Sequence, residues 1–426
     1  MKKNSTNLTL FLTVIFLIEF SIILSGYWMM AGYNPAQFNV WPASEWLINY
    51  QGGFVRRGLI GEILFQLSSG NALLPLLNRL VFFLYVFYYL IFLLIFWFAK
   101  IRNLSLLIIA LLIPGGIFQM GVSTSFYTRK EIIFLILFGS LCLIYHRITS
   151  LETKKRKAWL ASFALLSIFG GVFLTLSHEA YLFMGFPYAA ILFWVVKKEN
   201  PEQLFFNWAF KVFLLAIPLT FSLCVAKHGS VDIAQSIWNS LPLLDRVALS
   251  PHAPYTTYGA VMGIGWDKLQ ALSTVYGVFV TTGWVYWIFF ALANYIVLGY
   301  ICGNNATLFN KAHTNRYISL LSIPCTISLV MFVIASDWGR WIASSGNHVI
   351  LLGLTLLGSH YANSQRLKVF HLWPEKWIYD ARFIYSKWVF WIIIFYEIIF
   401  MMPECCVQYP YIFTPYLSFT KVIIHW

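Results

Sequence analysis

The stretch LVFFLYVFYYLIFLLIFWFA, residues 80–99, decides the fold. It holds no charged side chain, and Lys100 and Arg102 follow it at once. About 20 mostly apolar residues in helical form cross the hydrocarbon core of a bilayer. The rest of the chain repeats the pattern. Hydrophobic residues make up 60% and charged residues 11%, against roughly 25% charged in an ordinary globular chain. Mean hydropathy is +0.72. A water-soluble domain is excluded, and an all-α polytopic membrane bundle is expected over residues 1–426. Eleven spans are predicted near 8–30, 80–99, 103–122, 131–147, 158–177, 180–197, 208–227, 277–300, 317–335, 345–361 and 388–402. The first reads as an uncleaved signal anchor: its apolar run is long, and no small-residue cleavage site follows.

Charge sets the expected orientation. With Lys2 and Lys3 in the cytoplasm, every short basic connection falls on the same side. Those connections hold Lys100, Arg102, Arg147, the run Lys154–Lys157, Lys197, Lys198, Lys311, Arg316 and the basic residues of 366–387. With Lys211 they account for 19 of the 29 basic residues. The net charge of +13 then reflects topology and attraction to anionic lipid, and nucleic acid is not expected as a partner. The cysteines are scattered, without zinc-type spacing, and read as small apolar filler. Cys405 and Cys406 are adjacent, which disfavours an ordinary disulfide between them.

Two long segments face outward in this scheme, residues 31–79 and 228–276. The first carries Asn49-Tyr50-Gln51-Gly52-Gly53-Phe54-Val55-Arg56-Arg57-Gly58. An amphipathic pattern over Leu59–Leu67 then predicts a short helix in the interface. The second is rich in Pro, Gly, Trp and Tyr and is expected to fold as an outer loop with short helices. Its aromatics suit either an interfacial belt or stacking on sugar rings.

Four charged constellations fall on that outward side. Arg56 and Arg57 follow a glycine pair, as in an anion clamp, or as interfacial arginines reaching headgroups. Tyr127-Thr128-Arg129-Lys130-Glu131 opens the fourth span. Glu131 complements a helix N-terminus, whereas Arg129 and Lys130 oppose it. Ser177-His178-Glu179 sits in a connection so short that its side chains lie near membrane depth. An ionisable group there costs about 2.5–3.5 kcal/mol on insertion scales and points to function; a structural His–Glu pair is the other reading. Leu182 stands where a zinc helix needs its second histidine, so HExxH fails. Asp337-Trp338-Gly339-Arg340-Trp341 places an acid and a base three apart on one helical face, as an ion-paired helix end or as part of a site. No P-loop, dinucleotide glycine motif, GxSxG or Asp-x-Asp pair is present, so neither a metal nor a cofactor is expected.

Together the Gly-Gly-Phe-Val-Arg-Arg-Gly loop, the Arg-Lys-Glu helix start, the His-Glu pair and the Asp-x-x-Arg-Trp element resemble Wzy-type O-antigen or capsule repeat-unit polymerases, including the EpsG-like branch. In motif the resemblance covers residues 46–62, 127–133, 177–187 and 336–341. It implies a bacterial inner-membrane glycosyltransferase acting on undecaprenyl-diphosphate-linked oligosaccharides at the periplasmic face. A chain-length regulator is the partner protein it suggests. Such polymerases often carry a large basic periplasmic loop, and residues 228–276 hold few basic residues. Under this resemblance Arg56, Arg57, Arg129, Lys130 and Arg340 bind the diphosphate. His178, Glu179 and Asp337 are the catalytic candidates, with the His178–Glu179 pair favoured as base. Two other classes stay open. A GT-C-type transferase adds one sugar from a lipid-phosphosugar and carries acidic pairs in its first outer loop, to which Glu45 and Glu62 are poor matches. A transporter or flippase would use charges within the spans, such as Glu19 and Glu397.

Overall fold

A computed structural model describes residues 40–68, 70–99, 104–122, 127–250, 256–280, 288–294, 296–297, 311–356, 387–400 and 402. Among them the regular structure is helical, without strands. The segment near the cluster of charges begins with α1 (Val40–Glu45) and α2 (Gly58–Ser68). Then come α3 (Leu73–Phe98), α4 (Leu104–Leu112), α5 (Ile117–Val122), α6 (Glu131–Ser150) and α7 (Thr153–Ser177). After these follow α8 (Tyr181–Met184), α9 (Phe186–Glu199) and α10 (Leu204–Ala226). The second long segment folds into α11 (Val231–Ser240), α12 (Leu243–Leu249), α13 (Gly259–Gly263) and α14 (Lys268–Val280). Last are α15 (Lys311–Ser328), α16 (Met331–Ile334), α17 (Trp338–Leu356) and α18 (Lys387–Ile399).

Among the described residues, four helices are long and apolar enough to cross a membrane: α3, α6, the Lys155–Ser177 part of α7, and α10. Their burial follows their place. On α10 Leu204, Trp208, Leu215 and Leu219 are exposed, as a lipid-facing wall requires, while α17 is buried from end to end apart from Ser345. At the centre stands α6, packed against α3, α7 and α17. The predicted first span, 8–30, lies outside the described residues, as do 281–287, 295 and 298–300 of the predicted span 277–300.

Among the described residues three predicted spans are interrupted, one of them 317–335, which breaks at Leu329-Val330 between α15 and α16. The run 103–122 bends at Pro114-Gly115-Gly116 between α4 and α5, because proline cannot donate to the helical ladder. Gly115 has φ +76°, a backbone conformation open to glycine. The carbonyls freed there are met from other helices: Asn347 Nδ2 donates to Gly115 O at 2.9 Å and Asn294 Nδ2 to Pro114 O at 2.8 Å. Unpaired backbone at membrane depth costs several kcal/mol, so a break survives where protein covers it. The run 180–197 divides likewise at Gly185 into α8 and α9.

The chain around α1 and α2 is pinned from several directions. Trp46 Nε1 donates to Thr128 O at 2.5 Å, and Ser44 Oγ accepts from Ala260 N–H at 2.8 Å. A Cβ on Gly61 would lie 1.9 Å from Ile48 O, so the loop crosses α2 at backbone contact. Glu62 on α2 accepts from Tyr50 N–H at 2.9 Å and from the amides of Gln51 and Gln66. Asp245 of α12 accepts from Leu73 N–H at 2.7 Å and Leu74 N–H at 3.1 Å. It thus caps α3 from a distant part of the chain.

Candidate functional site

The four constellations meet at one end of the bundle. Each comes from a segment boundary: Arg56 and Arg57 from the turn before α2, Arg129 to Glu131 from the start of α6, His178 and Glu179 from the link after α7, and Asp337 and Arg340 from the start of α17. A fifth contributor, Glu45 at the end of α1, fills the middle.

Glu45 is fully buried. Its Oε1 accepts from Arg57 Nη1 at 2.9 Å and lies 3.1 Å from His178 Nε2. Its Oε2 is 3.6 Å from Arg340 Nη2 and 3.9 Å from Arg129 Nη1. On one flank Arg57 grips Glu179 with a fork: Nε lies 2.9 Å from both carboxylate oxygens, and Nη2 is 2.7 Å from Oε1. Arg56 Nη1 reaches the same oxygen at 3.2 Å. On the other flank Arg340 donates from Nε to Glu131 and from Nη1 to Asp337 Oδ2 at 2.9 Å, while its Nη2 abuts His178 Nε2. Lys130 Nζ donates to the carbonyls of Arg57 and Ser177 at 3.0 and 3.1 Å. Arg57 adopts φ +66°. This is the left-handed region, uncommon for a side-chain-bearing residue, and its two carboxylate partners and Lys130 hold it there.

Four carboxylates therefore face four guanidiniums, and Lys130 decides the balance. Burial pulls the Lys130 amine down to about 7, so it gains or loses its charge around neutrality. Burial pushes the Glu45 carboxyl up, but Arg340 and the other cations hold it well below the usual carboxylate range. Burial likewise lowers His178, outweighing the pull of Glu45. With His178 neutral, the anionic state of Glu45 rests on the guanidiniums. His178 Nδ1 accepts from Ala180 N–H at 3.2 Å, and its Nε2 sits between an acceptor, Glu45 Oε1, and a donor, Arg340 Nη2. Burial also raises Glu179, yet Arg57 and then Arg56 drive it far below the ordinary range.

The cluster is sealed on one side and open on the other. Glu45, Glu131, His178, Arg129 and Arg340 are buried, whereas side-chain exposure is 27% for Arg56, 24% for Arg57, 19% for Asp337 and 12% for Glu179. All eight residues picked out from the sequence are in this assembly. Their pairing differs from the expected one. His178 faces Glu45, and its Nδ1 is 3.8 Å from Glu179 Oε2; Glu179 is held by arginines instead. Glu45 is the residue the motifs passed over. A lone carboxylate between Pro42 and Trp46 in an apolar stretch was its signal. Glu62 lies apart, closing the arginine loop.

An arrangement of this kind presents guanidinium donors and a carboxylate at an accessible edge, over a rigid buried lattice of ion pairs. Guanidiniums in fixed geometry bind phosphate or carboxylate oxygens, and an edge carboxylate accepts a proton. No curated protein and no solved structure matches the chain. One family does, through residues 13–264, a stretch that includes every cluster residue except Asp337 and Arg340. The chain belongs to the family described as uncharacterised membrane protein Rv1490.

Proposed function

We propose that the cluster is the active site of a glycosyl transfer from a lipid-linked sugar phosphate at the periplasmic face of a bacterial inner membrane. The proposal includes the eleven-span topology with a cytoplasmic N-terminus, which puts the cluster at the periplasmic ends of its helices. The observation that carries it is the open edge: partly exposed Arg56 and Arg57 on one flank and partly exposed Asp337 on the other, joined through buried Glu45, Arg129 and Arg340. Cations stabilise the charge that develops on a departing phosphate, and here guanidiniums supply it. No outside acid is needed for such a leaving group.

Asp337 is the best-placed base. It is the most exposed carboxylate of the cluster, and Arg340 orients it. It takes the proton of the acceptor hydroxyl as that oxygen bonds to the anomeric carbon. The bond from that carbon to the phosphate oxygen breaks, and its electron pair leaves with the phosphate. Arg340 and Arg129 both meet Asp337 through Oδ2, whereas Arg57 engages both oxygens of Glu179 and holds it far below the ordinary range. Glu179 and His178, the latter wedged between Glu45 and Arg340, position the site. The resemblance favours undecaprenyl-diphosphate-linked oligosaccharide as substrate and repeat-unit polymerisation as the outcome, with a chain-length regulator as partner. A second reading, single-sugar transfer of the GT-C type, calls for an acidic pair in the first outer segment, and here Glu45 enters the cluster alone while Glu62 is bound to Tyr50 and Gln51.

The test is a set of single changes, Arg56→Ala, Glu45→Gln and Asp337→Asn, in cells lacking the native protein, with glycan products sized on a gel. Loss of product at unchanged membrane level supports the site; unchanged product in all three refutes it. A ladder of lengths marks a polymerase and one added sugar a transferase. Transport by proteoliposomes without bond formation would support a flippase instead.

A further inference from the structure

Consecutive helices α11 and α12 present opposite chemistry to their surroundings. On α11 the exposed residues include Asp232, Gln235, Ser236 and Asn239, while Ala234, Ile237 and Trp238 are buried. Val231, 70% exposed at the first turn, is the apolar exception on an otherwise polar exposed face. On α12 the exposed residues are Leu243 at 60%, Leu244 at 73% and Val247 at 42%, while Asp245 and Leu249 are buried. At 3.6 residues per turn the three apolar side chains span an arc of roughly 100°, opposite the buried pair. Arg246 flanks the arc, where a long cationic chain reaches headgroups.

The position of α12 says what covers that arc. Asp245 binds the first amides of α3, so α12 lies across the end of a membrane-crossing helix. Below it α3 exposes Phe83, Phe87, Leu90 and Leu94, a wall for lipid tails. Ile63 and Leu67, at the far end of α2, are exposed as well and lead into the same helix end. Apolar side chains are thus exposed on α12, on α2 and, beyond Arg79, on α3. The polar face of α11 and the apolar face of α12 belong to helices joined by Leu241-Pro242. Asn49 Nδ2 donates to Ser240 Oγ at 3.0 Å and Arg56 Nε to His228 O at 3.1 Å. These bonds tie the α11–α12 unit to the arginine loop.

The geometry points to α12 as an in-plane membrane helix, with Leu243, Leu244 and Val247 among the acyl chains of the leaflet at the cluster's end of the bundle. The second long segment is then a wedge dipped into lipid, which holds Arg56 at headgroup level. This stands whatever chemistry the cluster performs.

Leu244→Cys and Asn239→Cys, each labelled with NBD in the full-length protein and reconstituted into phosphatidylcholine–phosphatidylglycerol vesicles, test it. The unsubstituted protein sets the background of its own thiols. The probe at 244 is expected to emit to the blue and to lose most of its emission to lipids with nitroxide on the acyl chain, while iodide leaves it bright. The probe at 239 is expected to do the reverse. Iodide quenching at 244 overturns the inference. So does shielding from both quenchers, which would mean that protein covers the leucines. Both positions are exposed, so folding should survive; Leu243→Cys is the second reporter.

Discussion

Lys130→Met probes how the cluster balances its charge. The Lys130 side chain is fully buried, and its Nζ donates to two neutral backbone carbonyls. Burial outweighs the pull of Glu45, Glu179 and Glu131 and brings the amine from an ordinary 10.5 down to about 7. In the unfolded chain the amine keeps its proton up to about pH 10.5; in the fold it releases it above about 7. Between those values the unfolded state binds more protons, so raising the pH favours the fold. Below pH 7 both states are protonated and the penalty is complete, roughly 5 kcal/mol at about 1.36 kcal/mol per unit of the gap. Going from pH 7 to pH 9 removes about 2 kcal/mol of it. The assay is thermal unfolding in detergent at several values between pH 6 and pH 9, for the native protein and the methionine variant. The native protein should gain stability as pH rises through this window, and the variant should lack that gain. Losing two hydrogen bonds shifts the variant at every pH alike, so the slope carries the result. Parallel profiles would refute the reasoning.

Other changes test separate parts of the fold and site. Asp337→Asn should cut product formation by about 10²–10⁴-fold with little change in melting temperature, checked by product gel and thermal scan. Arg57→Lys keeps a charge but loses the fork on Glu179; a cost of about 1–3 kcal/mol is expected, seen as a lower melting temperature. Asp245→Ala removes the cap of α3 and should cost about 0.5–2 kcal/mol by the same assay. Gly61→Ala drives a methyl into Ile48 O, 1.9 Å from the ideal Cβ, and should sharply reduce the folded fraction on size exclusion.

Much of the helix pattern was legible because hydropathy reports burial in lipid directly. The runs 131–147, 158–177 and 208–227 reappear as α6, α7 and α10 within a few residues. The breaks at Gly115 and Gly185 were hidden. An apolar run looks continuous whether or not its backbone bonds are met within the helix, and the asparagines that satisfy the first break lie far away in sequence. The candidate site was legible as a set of charges out of place, each at a segment boundary. Its wiring was not. The His178–Glu179 adjacency suggested a pair, yet neighbours at a helix end point apart, and each side chain found its partner across the bundle. Glu45 escaped because a lone acid has no spacing to betray it. The arrangement of α12 was unreadable from LLDRVAL, since seven residues form too short a window for periodicity.

The lattice around Glu45 also bears on biosynthesis. Arg340 stands 209 residues after Glu131, with which it pairs. The carboxylates at 45, 131 and 179 are all made before that guanidinium leaves the ribosome. Until α17 inserts, Glu131 has no Arg340, and the bundle lacks its most buried helix. The early helices α3, α6, α7 and α10 pack on one another without it, and arrival of α17 supplies the missing counter-ion. A chain truncated before residue 338 would carry its acids without their late counter-ion, a form that membrane proteases can distinguish from the finished protein.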